Sequence, residues 1–316
     1  MESRRGLIFG FAAYGLWGAF PLYFPLLEPG GAVEILAHRI VWSALVMALL
    51  VVVLRRRAAV RNLLRSRRTT LLLVLAAVTI TINWGTYIYG VTTERVVETS
   101  LGYFINPLVT VLMGVIILGE RLRAVQWFAL SIGFVAVAVL TWDYGRPPWI
   151  ALVLAFSFGT YGLAKKTAGV GAIESLAIET ALIAPFALCF LAWLGTTDGA
   201  HFTSEGVGHV LLLISSGVVT AIPLLLFSGA ATRMTMTSLG LLQYLAPILQ
   251  FALGITVLGE DMPAGRWIGF TLVWLALGIF TWDAIRERRR QIERSAIARA
   301  TRTSAKVEQR QGPVVE

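Results

Sequence analysis

The sequence predicts an all-α integral membrane protein with ten transmembrane helices, arranged as two inverted-topology five-helix repeats. Three observations lead to this fold class: a very apolar composition, a basic charge confined to alternate loops, and an internal repeat. Of the 316 residues, 57% are hydrophobic and 14% are charged, whereas a soluble domain has about 45–50% and about 25%. A soluble protein is therefore excluded, and the lipid bilayer is the expected environment.

Ten apolar runs are long enough, at about 20 residues each, to cross the hydrocarbon core of a bilayer. The first run follows Arg4 and Arg5 and contains Pro21 and Pro25. Its length and the lack of a small-residue cleavage site favour a retained span over a signal peptide. The predicted spans are residues 7–27, 33–54, 69–90, 100–118, 124–142, 148–164, 172–194, 209–231, 238–258 and 264–282.

The 27 Lys and Arg residues are distributed unevenly among the loops. With a cytoplasmic N-terminus, 23 of them lie in cytoplasmic segments. Only Arg95, Arg146 and Arg266 lie outside, and Arg39 lies within a span. Since short cytoplasmic loops are enriched in Lys and Arg, both termini are predicted to be cytoplasmic and the protein to be multi-pass in the plasma membrane. The net charge of +9 follows from this topology, so no nucleic-acid partner is expected.

Residues 107–143 align without gaps on residues 247–283, with 11 identities in 37 positions. Each half holds five spans, and an odd number requires the second half to enter the membrane from the opposite side. The repeats are thus predicted to be inverted, as in many secondary transporters. The predicted units are a first repeat over 1–143, a second over 148–283, and a basic cytoplasmic tail over 284–316 that is disordered or a frayed surface helix. Shorter matches join Gly31–Glu34 to Gly171–Glu174 and residues 99–102 to 237–240.

In each half a Pro-x(6)-Gly-x(4)-Gly-Glu span, ending at Glu120 or Glu260, precedes a span that contains Trp. This pattern resembles the drug/metabolite transporter superfamily with EamA-type repeats. The segment 34–43, with Asn83-Trp84 and residues 102–108, resembles the RarD permease branch in particular. The resemblance covers residues 5–283. It implies a permease that exports or exchanges small metabolites or drugs without a cofactor, and the RarD name is associated with chloramphenicol sensitivity.

Several chemically active side chains lie in the outer half of the second span. Glu34, His38 and Trp42 have i, i+4, i+8 spacing and form one helical stripe, with Arg39 beside it. Ionisable groups in a span are costly unless they face protein or water. The stripe is therefore a candidate substrate site, with Glu34 and His38 accepting coupling protons. The alternative is structural: Glu34 caps the helix, His38 hydrogen bonds to it, and Arg39 holds two helices together.

Arg39 aligns with Glu179 across the repeats, which makes an ion pair conceivable. At 1.5 Å per residue, Arg39 lies ~9 Å below the outer surface and Glu179 ~10 Å above the inner one. In a core of ~30 Å this leaves an axial gap of roughly 10 Å. The two side chains are therefore predicted to be separate gates or anchors.

Further polar and aromatic residues are predicted to line a cavity that stacks on and hydrogen bonds an amphipathic solute. Asn83 and Tyr87 lie on one face of the third span. Tyr103 and Asn106 lie in the fourth span, and Gln243 and Tyr244 in the ninth. An interfacial aromatic belt is the alternative explanation for such residues.

Pro107 and Pro247 occupy equivalent spans, and each removes a backbone donor. Interruptions at corresponding positions of two halves point to a transporter site, so both are hinge candidates. A simple packing kink is the alternative. Glu120 and Glu260, at the span ends, are predicted to make turn or cap contacts.

Other functional classes are disfavoured by missing motifs. The chain has no Gly-Lys dipeptide and thus no Walker A loop, which excludes an ATP-driven pump. It also lacks Gly-x-Ser-x-Gly and His-Glu-x-x-His, so an enzyme is not expected. Cys189 is the only cysteine, which excludes a disulfide and a cysteine metal cluster, and no metal site is predicted. The prediction is a secondary-active exporter of small molecules that works by alternating access, with protons as the candidate coupling ion. A passive facilitator or channel is the alternative, and a membrane-embedded enzyme a remote one.

Overall fold

The regular elements of the protein are helices throughout the residues that the structure, a computed structural model, describes. These residues are 4–119, 121–197, 199–231, 233–234 and 242–311. Side chains are described up to residue 290, apart from those at 118, 166, 228, 231 and 288. In chain order the helices are α1 Arg4–Gly18, α2 Phe20–Tyr23, a 3-10 helix Phe24–Leu27, α3 Ala32–Val53, α4 Arg57–Leu64, α5 Arg67–Thr92, α6 Val96–Leu118, α7 Ala124–Tyr144, α8 Trp149–Ala168, α9 Ala172–Leu194, α10 Val207–Ala231, α11 Leu245–Thr256 and α12 Ala264–Gln311.

Seven of the described helices are long and apolar enough to cross a membrane, namely α3, α5, α6, α7, α9, α10 and the part of α12 up to Glu287. An eighth candidate consists of α1 and residues 20–27, which meet at an angle of 44°. Helices α8 and α11 contain shorter apolar stretches. The protein is therefore an all-helical, multi-pass membrane protein in its described part.

Two elements differ from the sequence prediction. Helix α4 was not predicted, since it lies in a basic loop, and none of its residues is buried. The ninth predicted span begins at 238, whereas the described helix α11 begins at Leu245 and residues 235–241 lie outside the description. Helix α12 continues past the last predicted span, which ends at residue 282, as far as Gln311.

Helix ends follow local chemistry. Gly119, Gly145 and Gly169 follow α6, α7 and α8 with φ of 66°, 64° and 63°. Glycine adopts this left-handed conformation without a steric penalty and commonly ends helices. At the start of α5, the Ser66 hydroxyl accepts a hydrogen bond from the Thr69 N–H at 3.3 Å, a standard N-cap contact.

Small residues bring the central helices close together. Gly217 of α10 lies so near Trp42 of α3 that an added Cβ would be 2.5 Å from the Trp42 carbonyl. At Gly102 of α6, an added Cβ would be 2.8 Å from Leu154 of α8. Helices in lipid associate through such close van der Waals packing because water does not drive them together. As a result α3 packs on α9 and α10, while α5 and α6 pack on α8.

Candidate functional site

Arg39 of α3 lies at the centre of the helix assembly and is 4% exposed. Its Nε donates a hydrogen bond to the Thr220 hydroxyl of α10 at 2.9 Å. Thr220 in turn donates to the Ser216 carbonyl, so the lone pair that receives Arg39 is held in place. Because Thr220 is next to the midpoint of the 25-residue helix α10, the guanidinium lies about halfway along that helix.

Aromatic rings surround the same guanidinium. The Arg39 Cζ is 4.2 Å from the centroid of the Trp84 ring, 5.4 Å from Phe24 and 5.6 Å from Phe20. A cation over an aromatic face gains about 2 kcal/mol or more when water is excluded. These rings therefore offset part of the cost of burying the charge.

Asn83 of α5 connects three helices close to this point. Its amide nitrogen donates to the Leu154 carbonyl at 3.0 Å and to the Ser157 hydroxyl at 3.1 Å, both on α8. Its amide oxygen accepts a hydrogen bond from the Tyr103 hydroxyl of α6 at 3.2 Å. The Tyr87 ring packs on Tyr103 at 5.9 Å, and the buried Tyr87 hydroxyl has no hydrogen-bond partner among the described residues.

Glu179 of α9 forms a second buried polar cluster and is 1% exposed. Its carboxylate accepts hydrogen bonds from the Ser175 and Tyr161 hydroxyls and pairs with Lys165 at 3.3 Å. Arg39 is not among its partners, as the depth comparison predicts. A small cleft between α3, α5 and α9 joins the two clusters, since it is lined by both Trp84 and Glu179.

The outer end of α3 is covered by the loop between α9 and α10. Glu34 accepts the backbone N–H of His201 at 2.8 Å and pairs with His201 Nδ1 at 3.0 Å. The next residue, Phe202, stacks on His38 with ring centroids 4.6 Å apart, and on Trp42 at 6.4 Å. The Trp42 indole N–H is buried without a described partner. Glu34 and His38 thus contact the same loop, and no hydrogen bond joins the two side chains.

The remaining predicted residues lie away from Arg39. Asn106 accepts a 3.5 Å contact from Thr110 on its own helix. Gln243 is exposed, and the Tyr244 side chain lies near Thr281 of α12. Pro107 lies inside α6, whereas Pro247 is in the first turn of α11, where the missing N–H has no helical partner to lose.

Several residues at the site were not predicted from the sequence. Thr220, Trp84 and Phe24 contact Arg39, and His201 and Phe202 cover the outer end of α3. Thr220 is 181 positions from Arg39 in the sequence, and His201 is 167 positions from Glu34. Residue spacing within one helix cannot predict such distant partners. The available signal for His201 was that histidine is rare here, with three in the chain.

Outside the spans, Glu260 follows α11 and binds the start of α6. Its carboxylate accepts hydrogen bonds from the backbone N–H groups of Val96 and Val97, the latter at 3.1 Å. Burial raises the pKa of Glu260 to about 7, although these hydrogen bonds and Arg266 act in the opposite direction. This is the cap contact predicted for Glu260, whereas Glu120 lies outside the described residues. No group of three potential metal ligands occurs among the described residues.

Comparison with known proteins identifies the family. Residues 4–142 match the EamA-like transporter family. The chain is also 56% identical over 300 residues to a protein named RarD of Streptomyces exfoliatus, with 95% of both chains covered. The chain belongs to the EamA-like transporter family. Within this family its RarD-named relatives place it in the RarD group.

Two further matches agree with an EamA-like protein. An uncharacterized transporter of Pseudomonas aeruginosa is 41% identical over 287 residues, which cover 91% of this chain and 96% of the other. A solved crystal structure matches with a TM-score of 0.55 at 19% identity, covering 88% of this chain and 98% of that chain, and so has a similar fold. The protein is thus an EamA-like membrane transporter of small molecules and not an enzyme.

Proposed function

We propose that the protein is a secondary-active exporter of small metabolites or drugs in the plasma membrane, which works by alternating access. Ten spans in two inverted five-helix halves carry this activity, with both termini in the cytoplasm. The observation that carries the proposal is the Arg39 cluster, in which side chains from both halves meet beside the midpoint of α10. Substrate sites of inverted-repeat transporters lie at such a position.

The count of ten is supported by the helices that fall short of a full span. The bent unit of residues 4–27 occupies the first predicted span, α8 the sixth and α11 the ninth. Broken and shortened helices are common in transporters, where irregular backbone is tolerated if it is buried in protein.

Inversion is supported by ion pairs at the two ends of α7 and α12, the last spans of the halves. Arg123 at the start of α7 pairs at 2.5 Å with Asp283, which ends the Thr-Trp-Asp triplet of α12. At the other end, Arg266 of α12 pairs at 3.1 Å with Asp143, which ends the matching triplet of α7. The two helices are therefore antiparallel, as inverted repeats require.

A second symmetric pair of contacts lies at the starts of α3 and α9, which carry the matching Gly-Ala-x-Glu segments. Glu34 of α3 binds His201 in the loop that follows α9. Glu174 of α9 pairs at 3.1 Å with Arg56 in the loop that follows α3. Each carboxylate thus anchors the loop of the opposite half.

The helix contacts follow the same two-fold relation. Equivalent spans pack on each other in the pairs α3 with α9, α6 with α11, and α7 with α12. The contact of α5 with α8 corresponds to that of α10 with α1, and the contact of α3 with α10 to that of α9 with α5. Halves related in this way can exchange inward-facing and outward-facing conformations by rocking about the shared axis.

The proposed substrate site comprises Arg39, Asn83, Tyr87, Tyr103 and the cleft that leads to Glu179. Pro107 is the proposed hinge of the first half. Protons are the proposed coupling ion, and they act at the outer end of α3. The proposed proton acceptors there are Glu34 and His38, and the pair of Glu34 with His201 holds the loop whose Phe202 covers His38 and Trp42.

Reconstituted vesicles test this function. Vesicles that contain the purified protein are loaded with the metabolites that accumulate outside overexpressing cells. Efflux from the vesicles is followed with and without an imposed pH gradient. A transporter moves the solute up its own gradient when protons flow inward, and Glu34→Gln uncouples the two fluxes. Flux that ignores the pH gradient and only dissipates the solute gradient would instead assign the protein as a passive facilitator.

A further inference from the structure

Arg39 differs in both burial and partners from the cations of the described chain that form ion pairs. Arg56, Arg123, Arg146, Lys165 and Arg266 each have a carboxylate within 4.0 Å, and their side chains are 18–54% exposed. Arg39 is 4% exposed and has no carboxylate at this distance among the described residues. The deepest of these positive charges is thus the one without a negative partner.

The terminal edge of the guanidinium is also unused. Nε is occupied by Thr220, and neither terminal nitrogen donates a hydrogen bond to a described residue. This edge presents N–H donors in the planar fork that fits both oxygens of a carboxylate. The hydroxyls of Tyr23, Tyr87 and Tyr103 lie within electrostatic range of the same charge.

Glu179, the carboxylate in the cleft that Trp84 also lines, is engaged elsewhere. Glu179 is held by Lys165, Tyr161 and Ser175, and the Lys165 charge already neutralises it. The rings of Trp84, Phe24 and Phe20 offset only part of the cost of the buried Arg39 charge. An anion bound from outside the chain would neutralise the remainder.

The side chains around the Arg39 guanidinium also indicate the chemistry of the rest of the bound molecule. Trp84 borders both the guanidinium and the cleft between α3, α5 and α9. The other walls of that cleft are mainly apolar, with Ile40, Ile80 and Ile183. An apolar group of the substrate would therefore lie against Trp84, beside these apolar walls, while its charged end reaches Arg39.

We propose that the transported substrates are small amphipathic carboxylates, whose carboxylate binds the terminal nitrogens of Arg39 and whose apolar part lies against Trp84. Thr220 is a positioning residue, because it holds Nε and thereby aims the free edge of the guanidinium. This inference rests on the proposed function for its biological role, but binding is measured without transport.

The test compares two probes of equal shape, 3-phenylpropionate and its neutral amide, with purified full-length protein in nanodiscs. Binding is measured by titration calorimetry and by the shift in unfolding temperature. A charge-assisted bidentate contact predicts a preference for the carboxylate of about tenfold or more. Arg39→Gln is expected to remove this preference, Arg39→Lys to reduce it, and Thr220→Val to weaken carboxylate binding severalfold. Arg95→Gln removes a charge from an outer loop and is expected to retain the preference.

Each outcome supports or overturns the proposal. Equal binding of the two probes by the unmodified protein overturns it, as does a carboxylate preference that survives Arg39→Gln. Failure of 3-phenylpropionate and benzoate to bind at millimolar concentration overturns it as well, and tighter binding of inorganic phosphate than of either probe replaces the carboxylate with a phosphate ligand. If Arg39→Gln does not fold, Thr220→Val and Arg39→Lys carry the decision.

The proposed function fails independently of this inference. Arg39-dependent binding of the carboxylate without any flux in vesicles would leave the anion site in place and refute transport. Coupled flux of neutral solutes that is unchanged by substitution of Arg39 would support transport and refute the anion site.

Discussion

Gly217 shows how a single side chain sets the geometry around Arg39. Thr220, which holds the guanidinium, lies one helical turn after Gly217, and Gly217 allows α10 to contact the backbone of α3 at Trp42. A bulkier residue at 217 would move the Thr220 hydroxyl away from Arg39. The close approach is therefore part of the candidate site although Gly217 carries no functional group.

Gly217→Ala is expected to destabilise the protein, because the added methyl group would be 2.5 Å from the Trp42 carbonyl. Overpacking of this kind typically costs about 1–3 kcal/mol. The matched control is Gly278→Ala in α12, where no atom lies within 4 Å of the added Cβ. That change is expected to be neutral or to stabilise by about 0.5–1 kcal/mol. Unfolding temperatures in detergent measure both, and equal values for the two variants would contradict the close contact.

Sequence reasoning found the polar residues of the site but not their partners. Arg39, Asn83 and Glu179 stand out because polar groups in apolar runs need satisfied contacts. Thr220 and Trp84 resemble many other residues in spans, and only the fold brings them to Arg39. Gln243 and Tyr244 were expected at the cavity, and in the structure they lie immediately before α11.

At the scale of elements, the helix α6 depends on a carboxylate from the opposite half. Glu260 binds the N–H groups of Val96 and Val97, two of the donors that a helix start leaves without internal partners. The partial positive charge of the helix start favours the ionised carboxylate, whereas burial disfavours it, and burial has the larger effect. This contact is consequently sensitive to pH near neutrality.

The stability contributed by Glu260 is expected to rise as the pH falls. The pKa is about 7 in the folded protein against 4.5 for the free side chain, so the folded state takes up the proton first. Stability therefore increases as the pH drops through 7, is fully gained below 4.5, and is lost again as the pH rises through 7. Unfolding temperatures between pH 5 and 8 measure this slope. Glu260→Gln is expected to flatten it, and an unchanged slope would exclude Glu260 as its source.

Element boundaries were mostly predictable because apolar runs end at charged or glycine-rich loops. The prediction of α9 over 172–194 agrees with the structure at both ends. The bend at Ala19 was not predicted, since Pro21 at the start of α2 is compatible with a continuing helix. Helix α4 was missed because eight residues outside the apolar runs carry no span signal.

For the whole molecule, the proposed orientation rests on the charge distribution and the proposed inversion on the internal repeat, and both are open to direct test. Cys189 is the one cysteine in the sequence and lies exposed on α9. Replacing it by alanine provides a background without thiols. The exposed positions Glu205 and Arg65 then lie on opposite sides of the membrane in the ten-span arrangement.

In that background, Glu205→Cys is expected to react with a membrane-impermeant maleimide in intact cells. Arg65→Cys is expected to react only after the membrane is permeabilised, because its loop is cytoplasmic. Gel-shift labelling measures both. Reaction of both variants in intact cells, or of neither, would be incompatible with the ten-span topology.

The position of the buried Arg39 charge, beside the midpoint of α10, has an electrical consequence for the proposed transport cycle. A charge that crosses the whole membrane field exchanges ~2.3 kcal/mol per 100 mV. A site loaded with a carboxylate is neutral, whereas the empty site carries one positive charge. In the proposed exporter of carboxylates, return of the empty protein would then be the voltage-sensitive step, and the inside-negative potential of a cell would draw the unloaded site towards the cytoplasm, where the next substrate would bind.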